Sequence, residues 1–298
     1  MTLMKRLLAS LLFTALVAAA QTAAISAFRT APIEPQTQPP GWADAGKIQR
    51  GLAFSRRNAE FINRILGTTS LVSTYAARDI LPVLIATGRL TNDYGQRLKE
   101  TAEWMGSILQ EAESTDEFWS RNYRKAVALG RLHLGVRQRV TGESLGWNAA
   151  ERTPVSQQAY AFVLYTFAWQ PLEAMVALKR LDLERNREEV EDYLHAWSVL
   201  GYAMGVAEPL LPRGVETTRR LVTAVREAQY FTAADGTPAG LNRLLRNQLE
   251  LMAEGGDTKR AAAVLGQLLQ LSPGLPEALG LGSDPGTALS VLPSTTGE

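Results

Sequence analysis

Two imidazoles, His133 and His195, and no cysteine are available to this 298-residue chain. That inventory excludes thiol nucleophiles, disulfides, iron–sulfur clusters and cysteine zinc sites, and leaves almost no room for a multi-histidine metal centre. A carboxylate di-iron bundle needs Glu-x-x-His on two helices. Here Asp192 precedes His195 by three, but Gly130 stands in that place before His133, so the class fails. The chain has no Gly-x-Ser-x-Gly elbow, no Walker loop and no Gly-x-Gly-x-x-Gly fingerprint. A single neutral imidazole can, however, hold a haem iron from one side. That chemistry needs an apolar slot, cations for the propionates and a partner for the second ring nitrogen. His133 sits in GRLHLGVRQR, bordered by Leu129, Leu132 and Val136, with Arg131 and Arg137 beside it. An apolar helix from Val155 to Leu178 and the cation Arg97 complete the parts. These parts permit haem ligation without demanding it. Taken alone, His133, and His195 among Leu194, Trp197 and Tyr202, read equally well as ordinary packed residues.

The elements that must position these residues are helices. In GLAFSRRNAEFINRILG, Phe54, Phe61, Ile62 and Ile65 fall on one side with charges opposite. LVSTYAARDILPVLIATG predicts a helix bent at Pro82 and stopped at Gly88. Asn92 and Thr115 predict N-caps for the two segments that carry Arg97 and His133. VSQQAYAFVLYTFAWQPLEAMVAL is apolar nearly all round and predicts a central buried helix. NREEVEDYLHAWSVLGYAMGV and three further amphipathic segments follow. No alternating hairpin pattern is present. The fold class is therefore all-α, a single globular multi-helix domain with a buried central helix. AAAVLGQLLQLSPGLPEAL resembles half a tetratricopeptide repeat, but no second copy follows at the required period, so it reads as an ordinary closing helix.

The first 24 residues read as a signal peptide or N-terminal anchor. Lys5 and Arg6 precede an uncharged run of 22 residues from Leu7 to Phe28, and Ala18–Ala20 form a small-x-small cleavage pattern. This predicts an exported, periplasmic or secreted protein, anchored to a membrane if the segment is kept. Residues 25–43, with four prolines between Thr30 and Ala43, read as an extended linker. The helical domain is expected over 44–272, and a flexible Gly/Pro/Ser/Thr tail over 273–298. Without Lys5 and Arg6 the chain carries 29 basic and 30 acidic residues, a balance that argues against a nucleic-acid partner.

Read in order, four segments resemble the latex clearing protein (rubber oxygenase) family and its MpaB-type relatives. TGRLTNDYGQRLKETAEWM resembles the family's arginine followed one turn later by threonine. RLHLGVR resembles its haem-ligand segment, TPVSQQAYAFVLYTFAW its Pro-hydrophobic-polar-Gln entry to a helix, and YLHAWSVLGYAMGV its His-x-Trp segment. The resemblance implies an all-helical haem pocket with one haem b. It implies His133 as proximal iron ligand, Arg97 and Thr101 on the distal side near dioxygen, and His195 supporting the fold or the haem surround. Arg137, by charge and position, would then meet a propionate.

The sequence also departs from that pattern. Rubber-cleaving members carry a lysine immediately before the threonine, where this chain has Glu100, with Lys99 one place earlier. Their catalytic glutamate upstream of the arginine corresponds to Leu81 and its neighbours, with Asp79 the nearest acid and out of register. The resemblance thus implies a haem-b-dependent oxygenase using dioxygen on a small alkene, isoprenoid or lipid-like substrate other than rubber. The alternatives are an exported helical binding or scaffold protein without cofactor, and a haem-binding sensor or carrier.

Overall fold

The computed structural model describes residues 25–88 and 94–292, and within the second stretch leaves out the side chains of Arg97, Ala102 and Met105. The leader or anchor read over residues 1–24, the Asn92 cap and the Arg97 side chain therefore lie outside the described residues.

Helix α1 (Ala45–Arg57) begins where the Asp44 carboxylate accepts a hydrogen bond from Lys47 N at 2.9 Å. Helix α2 (Ala59–Ile65) runs through a π-helical turn, Leu66–Ser70, into α3 (Leu71–Tyr75). The expected bend at Pro82 is a break: Pro82 lies in the first turn of a separate helix, α4 (Leu81–Ala86), where its missing N–H is tolerated. Helix α5 (Tyr94–Leu109) carries Arg97 and Thr101. A short α6 (Thr115–Glu117) is capped by Ser114 rather than Thr115, the Ser114 hydroxyl accepting from Glu117 N at 3.2 Å. A second π turn, Phe118–Tyr123, leads into α7 (Arg124–Arg139), which carries His133. Both π turns pack against α5.

The apolar segment after residue 155 forms two helices, α8 (Gln157–Ala168) and α9 (Gln170–Ala177), broken at Trp169 because Pro171 can occupy only a first turn. Helix α8 is buried apart from Val163 and Phe167. Helix α10 (Arg187–Met204) lies against α1, α7 and α8 and ends on Gly205 at φ +95°. Helices α11 (Val215–Gln229), α12 (Leu241–Ala253), α13 (Thr258–Leu269), α14 (Leu275–Ala278) and α15 (Pro285–Ser290) complete the body. No strand occurs among the described residues, only one antiparallel bridge, Ala77 to Tyr230.

Both ends of the described chain depart from expectation. The stretch read as a linker is extended, as its prolines require, but it is a strap held on the body. Ile25 and Ile33 are buried in the core. Gln36 N donates to Ala203 O, and Tyr123 Oη donates to the carbonyls of Gln36 (3.0 Å) and Gln38 (2.6 Å). The stretch read as a flexible tail contains α14 and α15, and Leu275, Leu279 and Leu289 are buried. In each case a few apolar side chains at irregular spacing, invisible to a periodicity argument, find a groove to fill.

Candidate functional site

Two glycines set the phase of the helices that frame the site. A Cβ at Gly51 of α1 would stand 2.5 Å from Asp192 O of α10. A Cβ at Gly130 of α7 would strike the Met204 carbonyl and come within 2.9 Å of Pro35 Cγ. Close contact at Gly130 fixes the rotation of α7. His133 and Arg137 follow one and two turns later on the same face.

That face meets α8 and the strap. The Arg137 guanidinium donates to Thr30 O (3.0 Å), Ala31 O (3.1 Å) and Val155 O (3.4 Å). Desolvation lowers its pKa from the ordinary arginine range. Val155 itself adopts φ +50°, a left-handed conformation that a β-branched residue rarely takes. Its carbonyl is thus held by Arg137 just before the Ser156 cap of α8.

His133 is half-buried between the Gly130 and Arg137 contacts. Its Nδ1 lies 3.0 Å from Leu129 O, one turn back on α7, and 3.2 Å from the Tyr160 hydroxyl of α8. The two rings lie 5.0 Å apart at a 58° tilt. Burial raises the Tyr160 pKa far above the ordinary phenol range, so the hydroxyl is neutral. Two contacts of the imidazole sit on Nδ1, and the Leu129 carbonyl can only accept. A proton on Nδ1 leaves the lone pair on Nε2, the arrangement in which an imidazole binds a metal. The donor set therefore fits a haem iron held from one side. Among the described residues no group of three or more acidic or imidazole side chains gathers to hold a metal.

The other sequence-derived residues are placed as follows. Thr101 is half-buried on α5, and that helix packs on the π turns, α1 and α2 rather than extensively on α7. Lys99 pairs with Glu103 at 4.0 Å on the exposed side of α5, so it does not stand in for the lysine replaced by Glu100. Glu100 accepts from Gln96 Nε2 at 3.4 Å. His195 faces the strap: its Nε2 accepts from Asp44 N at 2.9 Å, and its ring lies edge-on to Trp42 at 5.7 Å. Burial, then Lys47, lowers its pKa below the ordinary imidazole value, against the opposing pull of Asp44 and Asp192. Leu81 is buried at the start of α4.

Asp79, the nearest acid to the missing glutamate, is 1% exposed and fully engaged. Its carboxylate accepts from Arg29 Nε and Nη2 (both 3.4 Å), Arg152 Nη1 (3.3 Å) and Gln229 Nε2 (2.9 Å). It locks the strap and the 141–153 loop onto α11. Sequence reasoning missed this hub and missed Tyr160, because the partners are 27 to 150 residues apart. Gln157 ends the Pro-hydrophobic-polar-Gln stretch of the sequence and ties α8 to the strap. Gln157 Nε2 donates to Pro32 O (2.8 Å) and Gly205 O (2.6 Å), while its Oε1 accepts from Ala207 N (2.8 Å). Two surface grooves, of about 750 Å3 beside Lys179 and Arg185 and about 340 Å3 between α13 and α15, are lined by no residue of α5, α7 or α8.

Residues 62–289 match the family model described as the ER-bound oxygenase mpaB/B'/rubber oxygenase catalytic domain. The chain belongs to this family. It is 27% identical over 179 residues to a rubber oxygenase from Streptomyces sp. (strain K30), a match covering 58% of this chain and 42% of that protein. The aligned part thus spans less than half of the curated relative. The solved structure of latex clearing protein LCP in the closed state superposes with a TM-score of 0.63 at 18% identity, covering 95% of this chain and 76% of the other. The rubber oxygenase family fold, all-helical with a buried central helix, is therefore the fold of this chain.

Proposed function

We propose that the chain is a haem-b-dependent oxygenase that uses dioxygen on a small alkene, isoprenoid or lipid-like substrate, and that it is exported. The observation that carries the reading is the Nδ1-anchored imidazole of His133, on the α7 helix of a rubber oxygenase family fold. When bound, haem supplies the iron chemistry that activates dioxygen. His133 would hold it through Nε2, with Leu129 O accepting a hydrogen bond from Nδ1–H. Arg137, which donates to three backbone carbonyls, would offer its remaining N–H groups to a propionate. Arg97 and Thr101, one turn apart in sequence on α5, are the proposed donors to the oxidant, where they would stabilise developing negative charge. The partly buried apolar side chains Val163 and Phe167 on α8 would offer an apolar wall for substrate. With Lys99 turned to solvent and Asp79 enclosed, neither replaces the lysine and glutamate of rubber-cleaving members. A substrate other than rubber follows.

Absorption spectra of the purified, hemin-supplemented protein test the reading. Wild type is expected to show a Soret band that His133→Ala loses, whereas Arg97→Ala should keep the band and lose oxygen-dependent turnover of alkenes. A colourless wild type, or an unchanged spectrum in His133→Ala, refutes the assignment. A coloured protein without turnover favours a carrier or sensor.

A further inference from the structure

Groups from four segments form a chain of hydrogen bonds at the start of α5. Gln248 of α12 donates from Nε2 to Gly67 O in the first π turn at 3.2 Å. Its Oε1 accepts from the Tyr94 hydroxyl at 2.5 Å, and the hydroxyls of Tyr94 and Tyr75 lie 3.1 Å apart. All three side chains are buried. Burial raises both phenols above their ordinary range, so both keep their protons. Every direction is then forced. The Gly67 carbonyl can only accept, so the amide nitrogen faces it and the amide oxygen faces Tyr94. Tyr94 must give its one proton to that oxygen, and Tyr75 must therefore donate to Tyr94. Such a chain closes only when α5 stands at one height and rotation, whereas an apolar contact tolerates a slip.

We infer that Tyr94 and Gln248 are positioning residues that fix the first turn of α5, and with it the backbone that carries Arg97 and Thr101. Those two positions follow Tyr94 by three and seven residues, within one face of the helix, so pinning Tyr94 sets the rotation of that face. The far end of α5 is held separately. Asn122 of the second π turn donates to Ser107 O and Ile108 O. Asn63 of α2 exchanges two bonds, of 2.9 and 2.8 Å, with Gln110 just past the helix. Losing the Tyr94 joint therefore frees one end of α5 and leaves the other in place. The inference deepens the proposed function and rests on its assignment of Arg97 and Thr101 as donors.

A single substitution strands a buried partner and costs stability whatever its role. The triple variant Tyr75→Phe, Tyr94→Phe, Gln248→Leu removes the three side-chain partners together, and its denaturant unfolding should lie closer to wild type than that of Gln248→Leu alone. Hydrogen exchange on the apo-protein then compares the two ends of α5. In the triple variant the amides of residues 98–101 should exchange on the order of ten-fold faster relative to those of Ile108 and Leu109. A general loss of stability raises both ends together, so an unchanged ratio overturns the inference. The second arm is the carbonyl stretch of the hemin-loaded, reduced protein under carbon monoxide, which reads the field of nearby donors. It should shift in the triple variant in the same direction as in Arg97→Ala. An unshifted triple variant beside a shifted Arg97→Ala separates the start of α5 from the site and also overturns the inference. If wild type binds no hemin, or Arg97→Ala leaves the stretch unmoved, the proposed function fails by itself, and the exchange ratio still decides whether Tyr94 and Gln248 hold α5.

Discussion

Replacing Asp79 tests whether the strap is part of the fold or merely laid upon it. Asp79→Leu keeps the branched heavy-atom outline and removes all four acceptor contacts. Breaking a buried ion pair on one side costs about 3–5 kcal/mol. Arg29 and Arg152 keep 28% side-chain exposure and recover part of their hydration, which lowers the figure to about 2–3 kcal/mol. The Gln229 amide loses one of two acceptors, adding about 1 kcal/mol. A loss of roughly 3–4 kcal/mol corresponds to a Tm lowered by about 6–16 °C in a domain of this size. Asp79→Asn separates charge from hydrogen bonding. Gln229 Oε1 and Gln158 Nε2 have no hydrogen-bond partner among the described residues, so both amides can turn over and meet an asparagine N–H, leaving a cost of about 1–2 kcal/mol. Denaturant unfolding measures the totals. Hydrogen exchange locates them, because the amides of Thr153, Gln157 and Gln158 donate to the strap carbonyls of Arg29, Ala31 and Phe28. Those three amides should exchange faster in Asp79→Leu while amides in α13 do not. Stability within about 0.5 kcal/mol of wild type, roughly the noise for an unstructured surface change, would refute the hub.

Gly130→Ala should destabilise the fold by about 1–3 kcal/mol and shift the phase of α7, because its methyl meets the Met204 backbone; denaturation curves and hemin affinity should fall together. Arg137→Gln should weaken the strap more than it weakens haem binding, visible as earlier proteolytic cutting between residues 29 and 35, since its described bonds go to Thr30, Ala31 and Val155 carbonyls. The folded protein holds His195 neutral, with its pKa below the unfolded value near 6.5. Its contribution is therefore full above that value and lost as pH falls through the lowered folded pKa. Tm measured from pH 7.5 to 5 should fall more steeply in wild type than in His195→Gln; parallel profiles would exclude the Asp44–His195 contact as the pH-sensitive joint.

Helical periodicity was legible because burial repeats every three to four residues within one segment. It located the helices bearing Arg97, His133 and His195, and the apolar stretch that becomes α8 and α9. The short segments were not legible for the opposite reason. Ile25, Ile33 and Leu289 are single apolar residues whose burial depends on grooves made by distant helices. The Pro82 break and the split at Trp169 follow from a rule that the sequence states, yet their severity depended on what each half packs against.

The sequence by itself determined the donor inventory, the all-helical class and the helix on which the imidazole rides, since residue type and local spacing are properties of the chain. Tertiary structure alone decided that Tyr160 meets Nδ1 of His133, that Asp79 is an anchor rather than an acid at the site, and that His195 faces the strap. Hydrogen bonds and desolvation act over about 3 Å, between residues whose separation along the chain carries no record of that closeness.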